Sequence, residues 1–204
     1  MVEGYTDRML RYAITSGFDA DLSEDLLANA RRWAGQGVDF VQLREKHREA
    51  GDLIALARAM KQIFSINGSH ARLLINSRAD IAVVAGADGV HLTSRPGELT
   101  AEQVRRVFAA SGSGEPVVSV SCHTVAEVQR AVAGRVDLIL FGPVFEKRVA
   151  GEVVVAGVGL EALREACVIA GKTPVLALGG VTAENAEACI EAGAAGVAGI
   201  RLFA

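Results

Sequence analysis

Proline, cysteine and long apolar runs are all scarce in this sequence, and each scarcity narrows what the chain can be. Only four prolines stand among 204 residues, so nothing suggests a proline-rich linker. The three cysteines, Cys122, Cys167 and Cys189, are an odd number with no metal-type spacing. They read as reduced thiols of a cytoplasmic protein rather than a disulfide framework. No apolar run reaches spanning length, so no transmembrane helix is expected. The first residues include Glu3 and Asp7 and contain no apolar stretch of the kind a secretory signal needs. Basic residues do not dominate either. With 21 Lys and Arg against 24 Asp and Glu, the formal net charge is −3, and nucleic acid is not an expected partner.

What the chain does have is apolar content and glycine. Half of its residues are hydrophobic and 22 are glycine, enough for one sizeable core with many tight turns. A single domain over residues 1–204 is the expectation. Eight short, nearly continuous apolar runs read as strands covered on both faces: Arg11–Thr15, Val38–Leu43, Arg72–Ile75, Gly89–Leu92, Val117–Val120, Leu138–Phe141, Val175–Leu178 and Gly196–Ile200. Between them, amphipathic stretches predict helices at Ser23–Gln36, Arg48–Phe64, Ala79–Ala85, Thr100–Ala110, Thr124–Ala133, Gly159–Ala170 and Thr182–Ala192. Ser23 and Thr182 stand where N-caps belong, and Thr124 with Glu127 has capping-box spacing. This alternation predicts an α/β fold, a single (β/α)8 TIM barrel. After the last strand only a few residues remain, so the eighth outer helix is expected to be truncated or missing. The wall it would cover then needs the N-terminal segment or a partner subunit, which makes a homo-oligomer an expectation.

In such a barrel the chemistry belongs to the C-terminal ends of the strands and the loops after them. Gln42, Arg44 and Lys46 follow the second candidate strand and offer an amide and two cations to an anionic ligand. Asn76-Ser77-Arg78 follows the third strand, and His91 with Thr93-Ser94-Arg95 stands at the fourth. Taken alone, His91 reads as a hydrogen-bonded core histidine. Ser121 and His123 follow the fifth; they could bind a ligand or move a proton, or simply shape the turn. Gly179 and Gly180 follow the seventh, and Gly199, Ile200 and Arg201 the eighth, where barrels commonly hold phosphate on backbone amides. Arg201 can clamp that anion or form a structural ion pair.

Gln42-Leu43-Arg44-Glu45-Lys46, Leu74–Ala82 with Asn76 and Ser77, Gly86–Leu92, Ser121–Thr124, Phe141-Gly142-Pro143-Val144-Phe145, and Leu178–Val181 with Asn185 occur in an order that resembles the thiamine phosphate synthase and thiazole tautomerase superfamily over nearly the whole chain. In the synthase a pyrimidine diphosphate loses pyrophosphate and a thiazole phosphate attacks the resulting cation. The resemblance implies that Gln42, Arg44, Lys46, Asn76 and Ser121 face the pyrimidine diphosphate, with Lys147 on the loop that grips its phosphates. It also implies that Gly179, Gly180, Ile200 and Arg201 line the thiazole-phosphate site.

Departures from that pattern point elsewhere. The synthase carries a magnesium-binding Asp after the Asn of the third strand, and here that residue is Ser77. A second Asp lies a few residues past the His-Leu of the fourth strand; here the stretch is Thr93-Ser94-Arg95-Pro96, with no carboxylate until Glu98. Two neutral positions cannot hold a divalent cation against departing pyrophosphate. The leading expectation is therefore a barrel of thiamine biosynthesis that binds a thiazole phosphate and acts as a tautomerase-like isomerase. It would need no metal and no cofactor. The tautomerase histidine is replaced by Pro143, leaving Glu146 and then His123 as the candidate acid/base. The alternatives are a thiamine phosphate synthase, for which magnesium would be the cofactor, and a catalytically inactive relative that binds a phosphorylated ligand.

Overall fold

The computed structural model describes residues 8–15, 23–149 and 152–203. The elements in chain order are β1 (Leu10–Ile14), α1 (Ser23–Gly35), β2 (Phe40–Leu43), α2 (Ala50–Ile66), β3 (Arg72–Asn76), α3 (Ala79–Ala85), β4 (Gly89–Leu92), α4 (Ala101–Ala110), β5 (Val117–Cys122), α5 (Val125–Ala133), β6 (Leu138–Phe141), β7 (Lys147–Val149), β8 (Glu152–Val155), α6 (Gly159–Ala170), β9 (Val175–Leu178), α7 (Ala186–Glu191) and β10 (Gly196–Gly199). Eight parallel strands close into a barrel in the order β1-β10-β9-β6-β5-β4-β3-β2. The expected (β/α)8 architecture is present. No helix among the described residues is long and apolar enough to cross a membrane.

Period-two alternation divides the core. Leu10, Tyr12, Ile14, Phe40, Leu74, Val117, Leu138, Leu140 and Leu176 fill the barrel. The intervening residues of the same strands, such as Ala13, Val41, Leu73, Val118 and Ile139, pack outward against the helices. Toward the C-terminal ends of β2 to β5 the inward series turns polar, with Gln42, Asn76, His91, Ser119 and Ser121. On β6, β9 and β10 it continues as Leu140, Leu178 and Ala198 and ends in the turn residues Gly142 and Gly180 and in Ile200. One half of the mouth is thus built for hydrogen bonding and the other for close backbone approach.

The opposite end is tied by a device used three times. Asp39, Asp88 and Asp137 each stand immediately before an even-numbered strand. Each accepts the backbone amide of the preceding barrel strand, from Arg11 at 2.9 Å, Leu73 at 2.7 Å and Val118 at 2.8 Å. A cation pairs with each carboxylate: Arg8 with Asp39, Lys61 with Asp88 and Arg105 with Asp137.

Boundaries differ from expectation for local reasons. Helix α7 begins at Ala186, not Thr182, because the Thr182 amide donates to Asn185 Oδ1 at 2.8 Å and an open turn intervenes. The Ser23 hydroxyl accepts from Arg48 at 2.9 Å and is the first residue of α1. The capping box at Thr124–Glu127 forms, and a second one at Thr100–Gln103 was not anticipated. Nor was the antiparallel β7–β8 hairpin, which leaves the barrel between β6 and α6. Beyond β10 only a turn follows among the described residues. There Phe203 is buried, its carbonyl accepts from Trp33 Nε1 at 3.0 Å, and the Arg11 guanidinium lies 5.0 Å above its ring. The wall expected to lie open is covered by Phe203 and the partly buried Leu202. The N-terminal segment, residues 1–7, lies outside the described residues.

Candidate active site

The polar half of the mouth is held by a continuous hydrogen-bond network. Gln42 Nε2 donates to Asn76 Oδ1 at 2.9 Å. Gln42 is buried, and its Oε1 has no partner among the described residues, so one acceptor remains for a ligand. His91 lies between β3 and β5: its Nδ1 is 2.8 Å from Ser119 Oγ and 3.3 Å from Tyr12 Oη, and its Nε2 is 2.9 Å from Ser121 Oγ. Burial, with the Arg44 charge second, depresses the His91 pKa to about 3, so the ring is neutral. Burial also raises the Tyr12 phenol well above its ordinary value, opposed by its hydrogen bond to Ser119. The expectation for His91 taken alone, a hydrogen-bonded core histidine, describes its burial. Its bond to Ser121 also makes it the support for a mouth hydroxyl.

Past Leu43 the strand ends, and the alternation that would set Gln42, Arg44 and Lys46 on one side ends with it. Gln42 faces the barrel, Arg44 is half-buried with its amide bonded to Thr15 Oγ1 at 2.8 Å, and Lys46 is exposed on the turn. Glu45, expected to point away, is buried. A cavity of about 500 Å3 opens over this turn, lined by Glu45, Lys46, Arg48, Asn76, Ser77, Arg78, Arg95 and Glu98 among others. The Lys46 ammonium is held below the usual lysine range by the Arg44 charge first, then by burial, then by Arg95. Lys46, Arg48 and Arg95 stand together along the lining of this cavity. Arg48 was not among the residues expected at the mouth, Arg95 was named after the fourth strand without a role, and Glu98 was noted only as the first carboxylate beyond it. The signal was the Pro96-Gly97 turn, which folds the loop back across the mouth.

The floor of that cavity is built on a carboxylate that already has partners. Ser77 lies in the left-handed region with φ 56°. Its hydroxyl donates to Glu98 Oε2 at 2.7 Å. The same oxygen accepts from Thr93 Oγ1 at 3.0 Å and Thr93 N at 3.3 Å, while Oε1 accepts from the Leu99 amide at 3.2 Å. Glu98 is thus a carboxylate already committed to protein donors. Among the described residues no group of three or more His, Cys, Asp or Glu side chains is placed to hold a metal ion. Magnesium asks for near-octahedral oxygen ligands, and this donor set does not fit it.

Directly across the ring stand the glycine turns. In the barrel order β9 lies opposite β3, and β10 opposite β4. Strands β9 and β10 are neighbours in parallel register, Ala198 beside Leu178, so the turns after them adjoin. The amides of Gly180, Val181, Ile200 and Arg201 donate to no backbone carbonyl among the described residues. Gly179 and Gly180 have φ of 90° and 65°. A Cβ at either would press on Pro143 or Phe145 at 2.6–2.7 Å. Glycine is therefore required both by backbone conformation and by contact with the loop after β6. Asn185 Nδ2 fixes the turn from below through the Gly180 carbonyl at 3.0 Å. Ile200 and Arg201 are exposed at the rim, and Arg201 makes no ion pair among the described residues.

His123 and Glu146, the expected acid/base pair, are both exposed. His123 Nδ1 lies 2.5 Å from the Gly142 carbonyl. A carbonyl only accepts, so Nδ1 carries a proton. Pro143, at the tautomerase histidine position, is packed on Gly179 as part of the scaffold. The side chain of Lys147 lies outside the described residues. No cysteine offers a thiolate: burial pushes Cys122 up to about 12 and Cys167 up to about 11.

The chain is similar to known proteins. A Geobacter sulfurreducens relative, whose name assigns it thiamine-phosphate synthesis provisionally, is 43% identical over 190 residues, 92% of this chain and 83% of its own length. The thiamine-phosphate synthase of Methanoculleus marisnigri is 37% identical over 172 residues, 83% of this chain and 75% of its own. Among solved structures, a thiamine phosphate pyrophosphorylase from Pyrococcus furiosus superposes with a TM-score of 0.76 at 23% identity, covering 94% of this chain and 85% of that one; this likeness concerns the fold. The family described as thiamine monophosphate synthase matches residues 11–203, and the chain belongs to that family.

Proposed function

We propose that the protein is a transferase that joins a pyrimidine diphosphate to a thiazole phosphate, forming thiamine phosphate and releasing pyrophosphate. One observation carries this reading: the mouth has two anion-attracting walls facing each other. A cation-lined cavity of about 500 Å3 lies over β2–β4, and turns with undonated amides lie opposite, after β9 and β10. An isomerase acting on one thiazole phosphate needs only the second wall. Two phosphorylated reactants need both. Relatives named thiamine-phosphate synthase support the same choice, so the tautomerase-like expectation gives way to the synthase alternative.

In this reading the pyrimidine edge meets the Gln42–Asn76 amide pair and the Ser121 hydroxyl, with neutral His91 fixing that hydroxyl. Its diphosphate lies toward Lys46 and Arg44. The C–O bond to the diphosphate breaks, pyrophosphate leaves with the electron pair, and the thiazole nitrogen lone pair closes the new C–N bond. The thiazole phosphate is held by the amides after β9 and β10, with Arg201 as a charged rim. The walls act through charge and orientation; no acid/base is needed for bond formation, and His123 braces the loop after β6 through the Gly142 carbonyl. Family members of this type are expected to use magnesium, but Ser77 and the engaged Glu98 do not suit it, and no step here is routed through a metal.

Incubating the purified protein with both precursors and assaying thiamine phosphate by mass spectrometry tests the proposal. Product that requires both precursors is the expected result. No product, with or without magnesium, would discard it.

A further inference from the structure

We infer that Arg95, together with Lys46 and Arg44, supplies the counter-charge for the diphosphate that a divalent cation would otherwise supply, so that this wall binds pyrophosphate without metal. The inference rests on the transferase reading of the site and concerns how this chain departs from a metal-dependent one.

Three observations converge on it. First, the place where a cation would be anchored is closed: Ser77 donates to Glu98, and Glu98 spends both oxygens on Ser77, Thr93 and the Leu99 amide. Those bonds tie the loop after β4 to the end of β3. Second, that tie sets Arg95 on the rim of the same cavity as Lys46 and Arg48, close enough for Arg44 and Arg95 both to bear on the Lys46 charge. Like charges gathered this way repel one another in the empty site, and an anion between them relieves the repulsion. Third, Arg48 carries two buried nitrogens, Nε and one Nη, without a partner among the described residues, and Arg48 lines this cavity. Guanidinium groups take phosphate oxygens in paired hydrogen bonds, so Arg48 adds a further cation of the right kind to the lining. Two carboxylates line the cavity as well: Glu98, occupied by neutral donors, and buried Glu45, whose Oε1 has no partner among the described residues. Against them stand Lys46, Arg48 and Arg95, while Arg78 is paired with Asp80 at 2.6 Å.

The test is calorimetric titration of the full-length protein with inorganic pyrophosphate, first in EDTA and then with excess magnesium. Binding in EDTA is expected, with no tightening when magnesium is added. Arg95→Ala is expected to weaken binding in EDTA by about tenfold or more, the scale of a lost charge-assisted hydrogen bond. Because Arg95 is exposed, an unchanged thermal midpoint will show that the variant is folded. Binding that appears only with magnesium, or is tightened about tenfold by it, overturns the inference. So does wild-type affinity in Arg95→Ala, or no pyrophosphate binding at all. A failed coupling assay beside metal-free pyrophosphate binding would remove the transferase reading and leave this anion site standing. Coupling that collapses in EDTA would do the reverse.

Discussion

His91 shows how one residue links the barrel interior to the mouth. It is fully enclosed, touches hydroxyls at both ring nitrogens, and has a pKa depressed to about 3 by burial and by Arg44. The unfolded chain takes up a proton on this histidine below roughly pH 6.5, whereas the native ring stays neutral down to about 3. Between those values the unfolded state binds more protons, so stability falls as pH falls. From pH 7 to pH 5 the loss from this group alone is about 2 kcal/mol. Urea denaturation of wild type and His91→Asn at both pH values isolates it, because other groups titrate alike in both proteins. The wild-type protein should lose about 2 kcal/mol more than the variant over that interval; equal losses would mean that His91 is not held neutral. At this scale the sequence was partly legible. Gln42, Asn76, Ser121 and the turn glycines were identifiable because strand parity and turn position fix where they point. Arg48, the role of Arg95 and the burial of Glu45 were not, because the backbone past Leu43 and Leu92 leaves the strand and parity stops applying.

Among the elements, the strands were read to within one or two residues because each is a short apolar run buried on both faces. Helix starts were less legible, since a cap depends on where a side chain finds its partner: Ser23 serves Arg48, and Asn185 delays α7. The β7–β8 hairpin escaped because Lys147–Val155 shows no clear alternation, with a glycine in its middle. The three aspartates at the strand starts carry a prediction at this scale. Asp137 accepts from the Val118 amide at 2.8 Å and from Arg105 at 2.9 Å, and it is mostly shielded from solvent. Replacing it with Ala leaves the Val118 amide without its acceptor and takes one of three acceptors from Arg105, a cost of about 2 kcal/mol. Chemical denaturation of Asp137→Ala should show that loss. Pyrophosphate affinity should be unchanged, because the residue sits at the end of the barrel away from the mouth. A loss of affinity larger than the loss of stability would mean that the two ends are coupled.

Across the whole molecule, function follows from which strands face each other. Closure in the order β1-β10-β9-β6-β5-β4-β3-β2 sets the hydrogen-bonding strands opposite the glycine turns, and the two walls stay opposed only while the barrel stays shut. The joint between β1 and β10 has no helix outside it among the described residues, and Phe203 covers it. The ring is buried under the Arg11 guanidinium at 5.0 Å, and its carbonyl is bonded to Trp33 at 3.0 Å. Removing the ring in Phe203→Ala should cost about 3–5 kcal/mol, the range for emptying a buried aromatic site. Phe203 also ends the turn that presents Ile200 and Arg201. The variant should therefore bind a thiazole phosphate more weakly even at temperatures where it remains folded, while pyrophosphate at the opposite wall is bound as before. Trp33→Phe separates the two contributions. It deletes the hydrogen bond to the Phe203 carbonyl and part of a buried ring, about 2–4 kcal/mol together, but leaves the Phe203 side chain in place, and should leave both affinities near wild type. If Phe203→Ala unfolds no more readily than wild type, the joint is sealed by something other than this side chain. If it weakens both ligands equally, the two walls do not act as separate sites, and the case for two phosphorylated reactants loses its geometric basis.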